Sequence, residues 1–306
     1  MKSHKDNFCG GNFKDWLEVM LTPKCNGKCS WCIDKKGYHP KSYAPITALA
    51  NRINASSFKN IILLGGEPTL YKQFGTLCTL VNSNKRIYVT SNGQDLKRLE
   101  NQYIYGVNLS IHHYDLLKNK EITGIKINEN KLKKFVKTFK GHSVRLNCNI
   151  IEGYIDNRNA ILKYICWAKH LGINSVRFAE LKQDGKIISL GKILGYPYGL
   201  NENPFLKGCN KKAIIDGVQV NFKQMCGFNT DTRPKPKNPI VDCDKKVLYY
   251  DGIFYDGWQT QEGQMEKKKK KESLEDMKKQ IRILTRKIAY LEQEKKNPPA
   301  NTSCQY

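Results

Sequence analysis

Short apolar runs along the chain alternate with stretches whose apolar residues fall three and four apart. The runs predict strands at 16–22, 60–64, 86–90, 107–111, 143–150 and 175–179. Between them the helical spacing is clearest at 45–55, 128–139 and 157–171, the last closed by Gly172. Parallel neighbours need a crossover, and here each crossover has room for a helix. The pattern therefore predicts an α/β protein with a parallel sheet.

Past residue 181 the spacing becomes irregular and Gly, Pro, Tyr and Asn accumulate. This predicts an extension, 183–264, that follows a 1–182 core and covers the ends of its strands. Within it Tyr249, Tyr250, Tyr255 and Trp258 suit either the core of a β-hairpin or a stacking surface for a base. Leu274, Met277, Ile281, Leu284, Ile288 and Leu291 then recur at three- and four-residue steps. That narrow stripe, behind the lysine run 267–271, predicts a coiled-coil helix over 265–296, serving a homodimer or a partner protein. Asn297-Pro298-Pro299 ends it, and 297–306 is expected to be disordered.

Charge adds a partner class. Among 306 residues, 52 Lys and Arg against 28 Asp and Glu leave a formal net charge of +24. The surplus suits an anionic partner: a nucleotide, a nucleic acid, or an acidic electron donor such as a flavodoxin or ferredoxin. An AT-biased genome, rich in Lys and Asn codons, would produce the same surplus without any partner. No apolar run approaches the ~20 residues that span a bilayer, so no membrane role is expected. Eleven cysteines without an apolar leader suit a reducing, cytoplasmic compartment. Cys78, Cys148 and Cys166 lie in apolar-periodic segments and are expected to be buried.

The chemistry is concentrated in LTPKCNGKCSWC. Cys25, Cys29 and Cys32, separated by three and then two residues around Gly27, can ligate three irons of a cubane cluster and leave the fourth open. A structural zinc site is the alternative, but it needs four ligands and only His39 stands nearby. Gly65-Gly66-Glu67-Pro68 follows the second predicted strand, where glycines allow close backbone approach.

These motifs make residues 14 to 182 resemble the radical S-adenosylmethionine (radical SAM) superfamily. The resemblance implies a partial (β/α)6 barrel of TIM type and a 4Fe–4S cluster on the three cysteines. It also implies reductive cleavage of S-adenosylmethionine to a 5′-deoxyadenosyl radical that abstracts hydrogen from a substrate. Sites of parallel barrels lie at the C-terminal ends of the strands, and the motifs fall there in order. The cofactor residues implied are Trp31, Gly65, Gly66, Glu67, Pro68, Asn92, Ser110, Asn149 and Phe178, with Glu67 on the methionine ammonium and Phe178 beside the adenine. His112, His113, Arg145 and Glu180, at the mouth, are the candidates for substrate binding and proton transfer.

IILLGGEPTL, VTSNG, VNLSI, VRLNCNIIEGYIDN and VRFAEL resemble the GTP 3′,8-cyclase branch of the superfamily. The branch places arginines where Glu18 and Ile62 stand here and ends in two glycines where this sequence reads Cys304-Gln305-Tyr306. A carboxylate in place of a guanidinium inverts the contact with a triphosphate. A different anionic substrate is therefore expected, a nucleotide, nucleoside or nucleic acid. Many relatives carry an auxiliary cluster after the core, for which Cys209, Cys226 and Cys243 are candidates. Two alternatives stand beside this reading: a radical SAM enzyme that matures a peptide or protein, and a basic nucleic-acid-binding scaffold with a structural metal.

Overall fold

The computed structural model describes residues 15–100, 103–183, 186–194, 210–223, 246–258, 274–275, 277–282 and 284–286. Six strands, β1 (Trp16–Met20), β2 (Asn60–Leu64), β3 (Arg86–Ser91), β4 (Gly106–Ser110), β5 (Ser143–Asn149) and β6 (Ser175–Ala179), stand in sequence order in one sheet and pair in parallel. Helices α1 (Ile46–Ala55), α2 (Phe74–Leu80), α3 (Leu96–Leu99), α4 (Leu116–Thr123), α5 (Glu129–Thr138) and α6 (Arg158–His170) supply the crossovers. Side chains place their starts: Asp115 accepts from Leu117 N–H and Lys118 N–H, Asn128 from Lys131 N–H and Asn157 from Ala160 N–H.

The two-residue alternation assigns the faces. Leu17, Val19, Ile61, Leu63, Val89, Leu109, Leu146, Cys148, Val176 and Phe178 are at most 1 % exposed and form the core with the helices. The opposite face carries Glu18, Tyr88, Thr90, Asn108, Ser110, Arg145, Asn147, Asn149 and Arg177, the polar lining expected of a partial barrel.

After β6 come two short strands, β7 (Lys182–Gln183) and β8 (Lys186–Ile187), which pair only with each other, and α7 (Leu190–Leu194). The described strands that follow lengthen the sheet at both ends. The β9 (Asn210–Ile215) and β10 (Val218–Lys223) hairpin adds beside β6, and the β11 (Lys246–Tyr249) and β12 (Phe254–Asp256) hairpin adds beside β1. The result is ten strands in the order β12-β11-β1-β2-β3-β4-β5-β6-β10-β9. The aromatic run is accordingly hairpin core, with Tyr249 packed beside Met20, Val247, Tyr255 and Trp258. Met1–Trp258 form one compact unit.

Gln259–Tyr306 form a second unit. Its described residues, within 274–286, are helical, and Leu274, Met277, Ile281 and Leu284 are 49–59 % exposed. A paired coiled coil is not seen among them, and Ile288, Leu291 and the 297–306 tail lie outside the described residues, as do Cys209, Cys226 and Cys243.

Candidate active site

The cysteine loop leaves the C-terminal end of β1 and is fastened on three sides. Gly66 N–H donates to Thr22 O at 2.6 Å and Glu67 N–H to Lys24 O at 2.8 Å, so the Gly-Gly turn after β2 lies directly on the backbone ahead of Cys25. A Cβ on Gly66 would fall 2.2 Å from Lys24 O, and Gly65 has φ +143°. No other residue fits this approach. On the second side, Lys28 N–H donates to Thr123 O at 2.7 Å, tying the loop to the end of α4. On the third, Asn92 Nδ2 donates to Asn26 Oδ1 at 2.7 Å, and Asn26 bonds Gln94 in turn.

Cys25 is exposed, and Cys29 and Cys32 are half-buried. The Cβ position of Gly27 lies 3.4 Å from Cys25 Sγ and 3.8 Å from Cys29 Sγ, so the two sulfurs converge over a residue without a side chain. Burial raises the Cys25 thiol, and burial with the neighbouring Cys32 and Cys25 pushes Cys29 up to about 11. Raised thiols of this kind give up their protons when iron binds and its charge stabilises the thiolates. His39, the fourth ligand that zinc would need, places Nε2 2.9 Å from Asp34 O. The donor set present is three sulfurs, which fits a cluster with one open iron.

Glu67 has a different place from the one expected. It is 1 % exposed; Oε1 accepts from Thr69 N–H, Thr69 Oγ1 and Ser91 Oγ at 3.1, 2.7 and 2.8 Å, and Oε2 from Asn92 N–H at 2.7 Å. The carboxylate therefore clamps the β2 and β3 loops together, with Pro68 opening the turn that supplies two of the donors. Phe178 is a correction too: it is 0 % exposed, ringed by Tyr164 and Phe222 on the helix side of β6, and has no face for an adenine. Trp31 is half-buried, edge-on to His112 at 5.5 Å between centroids. Ser110 and Asn149 remain on the inner face at the ends of β4 and β5.

Of the mouth candidates, only Arg145 opens onto that inner face. His112 is buried, its Nδ1 accepting from Asn149 N–H at 3.0 Å, and burial pushes it down to about 4, so it is neutral at pH 7. His113 is 2 % exposed, accepts from Asp115 N–H at 2.9 Å and is lowered chiefly by burial. Both imidazoles fasten the end of β4. Glu180 is 6 % exposed and accepts from Leu190 N–H at 3.0 Å, holding α7. Arg145 Nε donates to Asn147 Oδ1 at 3.1 Å, and the guanidinium is pushed down to about 10 by burial and then by Arg177. Asn147 and Arg177 are register partners, which makes Arg145 and Arg177 diagonal neighbours on one face.

Arg177 was not among the sequence candidates, although Val144-Arg145 and Val176-Arg177 repeat the same pair on adjacent strands. Asn26 and Gln94 were missed as well, since no motif marks them.

The family model of the radical SAM superfamily matches residues 19–165, which hold the end of β1, the cysteine loop, the Gly-Gly turn and β2 to β5. Residues 19–165 of the chain are a radical SAM superfamily segment. Membership implies a 4Fe–4S cluster and S-adenosylmethionine. A GTP 3′,8-cyclase of Haemophilus influenzae is 28 % identical over 190 residues, 57 % of this chain and 55 % of that one. The mitochondrial GTP 3′,8-cyclase of Arabidopsis thaliana is 28 % identical over 264 residues, 80 % of this chain and 67 % of its own. The chain thus spans about half the length of the first of these relatives. Among solved structures, Streptococcus suis SuiB shares the fold at a TM-score of 0.54 and 16 % identity, over 79 % of this chain and 60 % of that one. The likeness extends to the radical SAM fold alone. Among the described residues no helix is long and apolar enough to cross a membrane.

Proposed function

We propose that this protein is a radical SAM enzyme acting on an anionic substrate of the nucleotide class, with the cytoplasm as its compartment. Cys25, Cys29 and Cys32 would hold the cluster, and the Gly65–Gly66 backbone, Trp31, Asn92, Ser110 and Asn149 would surround S-adenosylmethionine. When bound, cluster and cofactor together supply hydrogen-atom abstraction. The protein's share is to order the cysteine loop, exclude water and hold the substrate.

The observation that carries the substrate class is the pair Arg145 and Arg177. The Arg145 guanidinium is stripped of water and repelled by Arg177, and an anion beside it relieves both costs. At pH 7 Arg145 keeps its proton, being lowered only to about 10. The relatives' names point to a nucleotide as well. GTP itself is disfavoured as the substrate, because Glu18, where those relatives are expected to place an arginine, accepts from Trp258 Nε1 at 2.6 Å. The exposed stripe Leu274, Met277, Ile281 and Leu284 is proposed to pair with the same helix of a second copy, which the molar mass of a chain ending at residue 264 would test.

Anaerobic reconstitution tests the main reading. About four irons per chain and 5′-deoxyadenosine formed from S-adenosylmethionine under dithionite, both lost in Cys29→Ala, are expected. Zinc in place of iron, without product, would support a structural metal site. Binding of a nucleoside phosphate, weakened by Arg145→Met, is expected; binding of peptides in its place would support a peptide-maturing enzyme.

A further inference from the structure

Between Asp34, which is 8 % exposed, and Asp95 the chain holds one acidic residue, Glu67. It is 1 % exposed, with both oxygens hydrogen-bonded. The described surface that this span supplies is therefore without acidic charge, while Lys41 and Lys72 are exposed on it.

Three near-parallel rings accompany those lysines. Tyr43 lies 4.5 Å from Tyr250 with 25° between the planes, and 6.4 Å from Tyr71 with 9° between them. Tyr250 is buried, its hydroxyl donating to Pro40 O at 2.9 Å and its carbonyl accepting from Ala44 N–H at 2.8 Å, so Tyr43 rests on a fixed support. Tyr71 is held too, by its N–H on Pro68 O at 3.0 Å and by Arg98 Nη2, which donates to Tyr71 O at 3.1 Å. Tyr43 itself is 47 % exposed, and Leu70, which precedes Tyr71, is 40 % exposed. A ring already held in place and still half open to water loses little freedom when a flat partner covers it.

This group adjoins the candidate site. Tyr43 Oη meets Thr22 Oγ1 at 3.4 Å, and Lys24 N–H donates to the same oxygen at 3.2 Å. Thr22 O in turn accepts from Gly66 N–H. The exposed ring thus stands where the Gly-Gly turn meets the backbone leading to the cysteines, at the C-terminal ends of β1 and β2. Asp251, next to Tyr250, accepts from Tyr255 Oη at 3.3 Å and Ile253 N–H at 2.9 Å. None of these residues belongs to the cysteine motif or to those expected around S-adenosylmethionine.

We propose that Tyr43, with Tyr71 and Leu70 beside it and Lys41 and Lys72 following the phosphates, stacks an unpaired base of a single-stranded nucleic acid, so that the substrate is a nucleotide within a strand. The proposal deepens the nucleotide-class reading above and rests on it: one nucleotide enters beside Arg145 while another of the same strand lies on Tyr43. Every base has a flat π face, so the ring accepts any sequence, and the lysines add affinity that salt weakens. A free mononucleotide has one base and cannot serve both places.

The test uses the full chain and a short fluorescein-labelled oligouridylate, with binding followed by anisotropy. An abasic strand of equal length carries the same phosphates without the rings. Tyr43→Ala should bind the oligouridylate about tenfold or more weakly, whereas Tyr43→Phe, which keeps the ring, and Tyr103→Ala, ahead of β4 at the other end of the strands, should stay within about twofold of wild type. All three are first shown to keep wild-type circular dichroism. The abasic strand should bind wild type more weakly and be indifferent to Tyr43→Ala. Lys41→Ala/Lys72→Ala should flatten the dependence of log affinity on log salt by about one. Equal binding of the oligouridylate by wild type and Tyr43→Ala overturns the proposal, as does equal binding of the intact and abasic strands. Uridine monophosphate bound as tightly as the strand overturns it too, and so does a peptide bound through Tyr43 where the strand is not. Failure of Arg145→Met to weaken a nucleoside phosphate counts against the reading of the barrel interior alone, because stacking is decided by the Tyr43 variants.

Discussion

Asn92 donates its side-chain amide to Asn26 Oδ1 at 2.7 Å, joining the loop after β3 to the cysteine loop across 66 residues of sequence. Its own backbone N–H is bonded to Glu67. One residue therefore connects the β3 loop to both the Gly-Gly turn and the metal-binding loop. Asn92→Ala is expected to slow cluster insertion and broaden the cluster's electron paramagnetic resonance signal, with little change in thermal midpoint. Wild-type spectra from the variant would count against a positioning role.

Gly66 faces a harder limit, since any side chain there meets Lys24 O. Gly66→Ala should displace the cysteine loop and cost about 1–3 kcal/mol, read as a lower urea midpoint. Iron retained per chain should fall to less than half of wild type. Gly153→Ala, strained by its φ of +78° but with nothing near its Cβ, should lose stability too yet keep its iron.

Arg145→Met should weaken an anionic substrate by about tenfold or more, and Arg145→Lys by less, because lysine keeps the charge without the fork. Binding should be flat from neutral pH upward and weaken only near pH 10, where the lowered guanidinium begins to lose its proton. Isothermal calorimetry across pH measures both. A decline already at pH 8 would assign the anion to another group.

His112 is held at about 4, below its ordinary 6.5. Between those values the unfolded chain binds a proton that the folded chain refuses, so stability is full above pH 6.5 and falls as pH drops toward 4. The slope should approach about 1.4 kcal/mol per pH unit, with His113, lowered in the same direction, adding to it. His112→Gln should be less stable at pH 7 yet show a shallower slope. Urea midpoints at pH 7 and pH 5 compare the two.

The six central strands were legible because alternation is a local signal. Val176 and Phe178 go to the core while Arg177 goes to the inner face, as a two-residue period requires. Applied strictly, the same period would have removed Phe178 from the cofactor residues. The added strands were not legible, since Lys246–Tyr249 pair with β1 from the far end of the sequence and no local pattern names that partner. Glu67 shows a different limit. A motif records that a carboxylate is present, whereas Thr69, Ser91 and Asn92 decide whether its oxygens remain available.

The two terminal hairpins of the sheet have a consequence for synthesis. β1 is made first, yet its outer neighbour β11 is among the last strands to emerge, and β6 likewise waits for β10. A nascent chain that has completed all six βα units still presents bare strands at both edges, open to pairing with other chains. Between translation of residue 179 and of residue 249, the pairing of these two edges is still incomplete.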